Sequence, residues 1–149
     1  MTTRVEAVVL TAAVLAGAGA AAALVWGGYE VDPALLAPTL VLDLAVGWSF
    51  IGVGLVAWRR RPDSRTGLLM VALGFAWLAR FLVAVDTDAA FVAGVLVGSV
   101  ALSVFVHLLA TFPTGRTGSR AQRVIVVVGY LLSMPLDAVF LALGAQRGR

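Results

Sequence analysis

The stretch VALSVFVHLLATFPTGRTGSR, residues 100–120, joins a long apolar run to a turn rich in arginine, proline and glycine. The turn contains the phrase Pro-x-x-Arg-Thr-Gly from Pro113 onward, and the same phrase starts at Pro62, again behind an apolar run. A helix satisfies its backbone hydrogen bonds internally and can cross lipid, whereas proline stops a helix and glycine suits the turn beyond it. Each phrase is therefore predicted to be a turn at which one membrane helix ends and the next begins.

The composition of the whole chain agrees with this interpretation. Of 149 residues, 61% are apolar and 13% are charged, whereas soluble domains are about half apolar and about one quarter charged. The mean hydropathy is +1.01. These values predict an all-α integral membrane protein, and residues 1–149 are expected to form a single transmembrane helical domain with its N-terminus in the cytoplasm.

Five apolar runs have about the length of 20 residues that a membrane helix needs. Their approximate bounds are 5–26, 39–58, 68–85, 89–112 and 124–143. The first run follows Arg4 and contains small residues at 16–23, as a signal peptide would, but it continues to Trp26 and is interpreted as an uncleaved anchor. The predicted fold is a polytopic bundle of about five helices.

The charges of the loops predict the orientation. Two loops are basic, and they and their flanks contain Arg59, Arg60, Arg61, Arg65, Arg116, Arg120 and Arg123. The alternate loops, 27–33 and 86–88, are acidic. The positive-inside rule then puts the arginines in the cytoplasm, where they would also contact anionic lipid headgroups.

The end of the chain disagrees with that rule, because five spans place Arg147 and Arg149 outside. Either these arginines are tolerated there, or the chain is part of a longer protein, or the fifth run does not cross fully. The two phrases are interpreted as independent turns rather than copies of one hairpin, since the positions 51 residues on from Asp43 and Arg80 are Gly94 and Leu131.

Ionisable residues inside the spans are the first candidates for function, because each is costly in hydrocarbon and needs a partner. Asp43, Arg80 and Asp137 are expected at similar depth in the outer leaflet of three spans. They form either a clasp that fixes helix packing or a polar pocket that binds a ligand or senses protons.

Polar and small residues on the fourth and fifth spans form two further sets. The predicted polar stripe consists of Ser99, Ser103, His107, Thr111, Tyr130 and Ser133. Hydroxyl groups at such spacing form hydrogen bonds between helices or line a pore. The predicted packing run consists of Ala90, Gly94 and Gly98, whose spacing of four permits close helix approach.

Several chemistries are not expected. The chain has no cysteine, and it has no phosphate-binding loop, metalloprotease motif or soluble catalytic triad. No catalytic residue, metal or cofactor is predicted. Nucleic-acid binding is also not expected, because the net charge is only +3. All 11 basic residues are arginine, which suggests a GC-rich genome.

WRRRPDSRTGLLMVALGFAWL, residues 58–78, and HLLATFPTGRTGSRAQR, residues 107–123, resemble the N-terminal membrane region of actinobacterial sensor histidine kinases. In that family a helix ends in a basic turn that opens a leucine-rich helix, and a later helix ends in an FPxGR turn. The resemblance implies a sensory membrane module that signals to a cytoplasmic kinase. The phosphoacceptor histidine and the ATP site of a kinase are not in this chain, so no catalytic residue carries over.

Three functions remain open at this stage. The chain is a sensory input module, a small transport or channel component that uses the Asp/Arg cluster, or a membrane scaffold without a ligand. The expected location is the plasma membrane of a high-GC bacterium. The expected partners are a bilayer with anionic headgroups and, for a signalling module, a second copy of the chain or a cytoplasmic kinase.

Overall fold

Five α-helices make up most of the fold. The structure is a computed structural model that describes residues 3–26 and 32–147, with the side chains of 4–26, 32 and 34–133. The helices are α1 (Thr3–Trp26), α2 (Pro33–Arg60), α3 (Thr66–Ala79), α4 (Asp88–Thr111) and α5 (Arg120–Arg147), and a 3₁₀ helix, Arg80–Ala84, continues α3. The prediction of an all-helical protein is confirmed for this part of the chain.

Four helical segments among the described residues are long and apolar enough to cross a membrane. They are Arg4–Trp26, Ala34–Arg60, Thr66–Ala84 and Asp88–Thr111. Each matches one of the predicted spans. The predicted fifth span lies within α5, and the side chains of its second half are outside the described residues.

Two helices begin several residues before the predicted spans, and local capping explains both. The α2 helix begins at Pro33 rather than near residue 39, because the Asp32 carboxylate accepts a hydrogen bond from the Ala34 N–H at 2.9 Å and proline suits a first helical position. Pro38 lies inside the helix. At α5, Gln122 N–H donates to Ser119 Oγ while Ser119 N–H donates to Gln122 Oε1, both at 3.1 Å. This reciprocal pair starts the helix at Arg120.

The third predicted span is not one continuous α-helix. The α3 helix ends at Ala79, and Arg80–Ala84 continue as a 3₁₀ helix that packs on α4. Gly94 of α4 allows this contact, because a methyl group there would collide with the backbone of Val83. The 3₁₀ helix is tighter than an α-helix, and a short loop follows it before α4 begins at Asp88. Thr87 caps α4, because its side chain accepts a hydrogen bond from Ala90 N–H at 3.3 Å.

The α2 and α3 helices form the closest pair, and glycines make the approach possible. A methyl group on Gly54 would lie 2.8 Å from Gly67 O, and one on Gly67 would lie 2.7 Å from Gly54 O. The two helices therefore touch through their backbones.

The remaining helices pack around this pair. The indole Nε1 of Trp48 in α2 donates to Ala13 O of α1 at 3.0 Å, and Gly17 leaves room for the ring. Two groups of buried side chains fill the interior. One joins α1, α2, α3 and the 3₁₀ helix around Ile51 and Leu78, and the other joins α3 and α4 around Leu73 and Leu108.

Two ends of the bundle carry opposite charge. The basic end consists of the turns 61–65 and 112–119 and the helix ends beside them, and it contains Arg59, Arg60, Arg61, Arg65, Arg116, Arg120 and Arg123. The acidic end consists of Asp32, at the start of α2, and the loop that holds Asp86 and Asp88. Because both basic turns follow helices that run in the same direction, they meet at one end of the bundle.

Candidate functional site

Asp43 of α2 and Arg80 form an ion pair between helices. Nη2 of Arg80 lies 2.5 Å from Oδ1 of Asp43. The Asp43 side chain is 16% exposed and that of Arg80 is 35% exposed. Removing either partner would leave a largely desolvated charge, which is the costly case for an ion pair.

Two aromatic rings pack against the guanidinium group of Arg80. Its Cζ lies 4.2 Å from the centroid of the Trp77 ring and 4.8 Å from that of Phe81. Such cation–π contacts strengthen when water is excluded. Sequence reasoning did not identify Trp77, although its position three residues before Arg80 places the two on one helical face.

A cavity of about 330 Å³ lies beside this pair, between α2, α3 and α4. Its lining is apolar except at two residues, Trp77 and Arg80. Among the described residues, Trp77 Nε1 and Arg80 Nε are buried donors that have no hydrogen-bond partner. A buried donor without an acceptor is unfavourable by about 1–3 kcal/mol, so this corner of the fold is under-satisfied.

Asp137 cannot be placed beside this pair. The α5 helix includes position 137, but its side chain lies outside the described residues. The three-residue cluster predicted from the sequence is therefore seen only as the Asp43–Arg80 pair.

The Asp43–Arg80 pair lies about 15 Å along α2 from Pro33, because ten residues separate Pro33 from Asp43 and each adds about 1.5 Å.

The predicted polar stripe makes contacts within and between α4 and α5. Ser103 Oγ donates to Gly129 O at 3.2 Å, and the His107 and Tyr130 rings meet edge to face with centroids 6.1 Å apart. Two other hydroxyls bond within their own helices. Thr111 Oγ1 donates to His107 O at 2.7 Å and Ser133 Oγ donates to Tyr130 O at 3.0 Å. Ser99 is half-buried on α4.

The predicted packing run faces the 3₁₀ helix rather than another long helix. Gly94 is buried against the backbone of Val83, as described above. A methyl group on Gly98 would lie 3.8 Å from Cβ of Arg80, which is an ordinary contact. Ala90 is half-buried in the first turn of α4. The run therefore positions the segment that holds Arg80.

At the basic end the two Pro-x-x-Arg-Thr-Gly turns bind directly to each other. Thr66 Oγ1 donates to Pro113 O at 2.7 Å, and Arg65 N–H donates to Thr114 O at 2.9 Å. Ser64 Oγ lies 3.0 Å from Pro113 O and 3.1 Å from Thr114 O. We call this set of contacts the turn joint. Sequence reasoning placed both turns on one side of the membrane but did not predict their contact.

The arginines of the basic end fall into separate environments. Arg59 forms an ion pair with Glu6 of α1, whose side chain is 11% exposed. Arg60 and Arg61 line a groove together with Asp63 and Arg116. Arg65, Arg116 and Arg123 line a second cavity together with His107. The sequence analysis did not predict Glu6 as a partner of Arg59. Its position at the start of α1 does, however, place it at the predicted depth of the basic loops.

Comparison with known proteins identifies no relative: no family model, curated protein or solved structure matches the chain. Among the described residues there is no group of three or more His, Cys, Asp or Glu side chains that could hold a metal ion. The chemistry visible in this part of the protein is that of ion pairing, ring stacking and hydrogen bonding.

Proposed function

We propose that the chain is a sensory membrane module that binds an amphipathic ligand beside Arg80 and passes the change to the turn joint. The cavity at Arg80 is the observation that supports the proposal most directly. The resemblance of residues 58–78 and 107–123 to the membrane region of sensor histidine kinases agrees with it. The output partner would be a cytoplasmic kinase or a second copy of the chain.

The chemistry of the cavity defines the class of ligand. Its apolar lining suits a hydrocarbon chain, and the guanidinium of Arg80 suits a carboxylate or another anionic oxygen acceptor. A carboxylate there would compete with Asp43 for Arg80. Ligand binding would therefore weaken or reorient the contact between α2 and the end of α3.

The proposed route from the cavity to the basic end is the α2–α3 pair. Its backbones touch at Gly54 and Gly67, and Gly67 directly follows Thr66, which is bonded to Pro113 O. A shift of α3 along or around α2 would move Thr66 relative to the second turn. Tight packing of this kind transmits displacement rather than absorbing it.

The polar stripe favours this function over transport. Three of its hydroxyls, on Ser103, Thr111 and Ser133, donate to backbone carbonyls of α4 and α5. They hold helices or helical turns, which is the usual use of such groups in membranes. A transport component remains the second candidate because the Arg80 cavity would equally serve as a substrate site.

Dodecanoate provides a direct test, with dodecanol as the uncharged control. Both would be added to the full chain in nanodiscs, and hydrogen exchange of the amides at 61–67 and 112–118 would be measured. We expect dodecanoate, but not dodecanol, to change exchange at Arg65 N–H, which is bonded to Thr114 O. Arg80→Gln should abolish the response. Binding of dodecanoate without any change at the turns would overturn the sensory proposal, and dodecanoate flux into liposomes would favour transport.

A double-mutant cycle tests whether the ion pair of Asp43 and Arg80 stabilises the fold. Arg80→Ala and Asp43→Asn are compared with the double variant for resistance to unfolding in SDS. A clasp predicts that the double variant is more stable than the worse single variant, because no buried charge is left unpaired. If the double variant is no better, Asp43 does not stabilise Arg80, and the ion pair cannot be the contact that a ligand displaces.

Orientation is proposed from the loop charges: the N-terminus and the basic end are cytoplasmic, in the plasma membrane of a high-GC bacterium. Because the chain has no cysteine, Gly118→Cys and Asp86→Cys each introduce a single thiol that can be labelled in intact and in permeabilised cells. The thiol at position 86 should react in intact cells, and the thiol at position 118 should react only after permeabilisation. A reporter after Arg149 then tests the fifth crossing, and a cytoplasmic signal there would contradict the five-span arrangement.

A further inference from the structure

The second cavity of the basic end is large and has a polar and an apolar side. It measures about 640 Å³ and lies between α3, α4 and α5. The polar side carries Arg65, Arg116 and Arg123, and the imidazole of His107 contributes to the wall. The apolar side is formed by Leu68, Leu69, Val126 and Val127.

The three arginines come from three separate segments of the chain. Arg65 directly precedes α3, Arg116 lies in the second turn, and Arg123 lies in the first turn of α5. All three are exposed, and within the described part of the chain none forms an ion pair or a side-chain hydrogen bond. The turn joint holds the first two segments together, since Arg65 N–H donates to Thr114 O at 2.9 Å. Three positive groups thus line one cavity, and no carboxylate is among its lining residues.

The apolar side of the cavity leads from the arginines toward the middle of the bundle. Leu68 is 47% exposed and Val127 is 48% exposed. Both belong to helices that leave the basic end toward the middle of the bundle, so an acyl chain could follow them. The combination of a guanidinium cluster and an adjoining apolar surface fits a molecule with a phosphate head and a hydrocarbon tail.

The other arginines of the basic end differ from these three. Arg59 is paired with Glu6. Arg60 and Arg61 line only the groove that contains Asp63, whereas Arg116 lines both that groove and the cavity. Arg120, at the start of α5, does not line either cavity. All arginines of the basic end would be attracted to an anionic bilayer. Only Arg65, Arg116 and Arg123 also line the cavity.

We infer that Arg65, Arg116 and Arg123 form a site for the phosphate headgroup of an anionic phospholipid, with its acyl chain against Leu68 and Val127. His107 lies on the wall of the same cavity and offers a ring N–H to a headgroup oxygen. The inference does not depend on the sensory proposal or on which side of the membrane the basic end faces.

The test measures binding of phosphatidylglycerol that carries a dansyl group on its acyl chain. Energy transfer from the four tryptophans of the chain reports binding in neutral detergent. Removing one arginine near a lipid surface weakens binding by about fivefold. We expect Arg65→Gln/Arg116→Gln/Arg123→Gln to bind at least about tenfold more weakly than the unmodified chain.

A charge-matched variant is the control. Arg60→Gln/Arg61→Gln/Arg120→Gln removes the same three charges from the same end of the bundle but leaves the cavity arginines in place. Because these three arginines do not line the cavity and salt screens their charges, this variant should bind within about twofold of the unmodified chain. Equal weakening in both triple variants would overturn the site and indicate diffuse attraction to the whole basic end.

Competition distinguishes a lipid from a free phosphate. Dansyl-free phosphatidylglycerol should displace the probe at concentrations near its own dissociation constant, whereas inorganic phosphate should not. Displacement by inorganic phosphate at equal concentration would overturn the lipid assignment. The unfolding midpoints of both triple variants in neutral detergent verify folding, and if the cavity triple variant does not fold, Arg116→Gln alone should bind about fivefold more weakly.

Discussion

The two Pro-x-x-Arg-Thr-Gly turns have the same letters and opposite environments. In the first, Thr66 and Gly67 are buried, and Gly67 lies against the backbone of α2. In the second, the equivalent Thr117 is half-buried and Gly118 is exposed. The tight position of the second turn is instead Gly115, which has φ of +67° and lies against Thr66 N.

This difference shows that the shared phrase does not represent a shared structural unit. The first turn leads directly into α3, so its threonine and glycine are already part of the helix packed on α2. In the second turn only Ser119 separates the phrase from α5, and the N–H groups of Gly118 and Ser119 both donate to Gln122 Oε1. The equivalent arginines, Arg65 and Arg116, nevertheless line the same cavity.

The largest expected effect comes from the equivalent glycines. Gly67→Ala should destabilise the fold by about 2–3 kcal/mol, because the new methyl group would lie 2.7 Å from Gly54 O and backbone cannot move aside easily. Gly118→Ala should change stability by less than about 0.5 kcal/mol, since the nearest atom is Gln122 Oε1 at 3.5 Å. Unfolding in SDS, followed by helical circular dichroism, measures both. Equal effects would mean that the two turns are packed alike.

Gly115 is expected to have the next largest effect. Gly115→Ala forces an L side chain into a positive φ and brings its methyl group against Thr66 N. We expect a loss of about 1–3 kcal/mol and faster hydrogen exchange at Arg65 N–H, because the turn joint must open. Ser64 occupies the equivalent position in the first turn. Ser64→Gly should loosen the same amide less, and a reversal of this order would contradict the assignment of Gly115 as the tight position.

Much of the helical framework could be predicted from the sequence, whereas the contacts of the site could not. Apolar length alone located the four described spans, because lipid permits few alternatives to a helix. The caps at Asp32 and Ser119 moved helix starts by several residues. The break at Arg80 depends on Gly94 of another helix, and the bond of Thr66 to Pro113 O joins residues 47 apart. Such contacts depend on tertiary packing, which residue spacing along one helix does not encode.

The equivalent threonines should differ by about 1 kcal/mol. Thr66→Val keeps the shape of the side chain but removes the donor to Pro113 O, which lies 2.7 Å away. Thr117→Val makes the same chemical change where the described structure gives the hydroxyl no hydrogen-bond partner. Only Thr66→Val should lower the SDS concentration at half-unfolding. A matching loss in Thr117→Val would show that both hydroxyls stabilise the fold.

The equivalent arginines should behave alike, and their effect on stability should be the smallest. Arg65→Gln and Arg116→Gln remove exposed side chains that form no ion pair within the described residues, so each should change stability by less than about 0.5 kcal/mol. Because both line the same cavity, each should weaken phosphatidylglycerol binding by a similar factor of about five. Raising the salt concentration should reduce both losses together. A large loss for one arginine and none for the other would show that the two turns do not build one site.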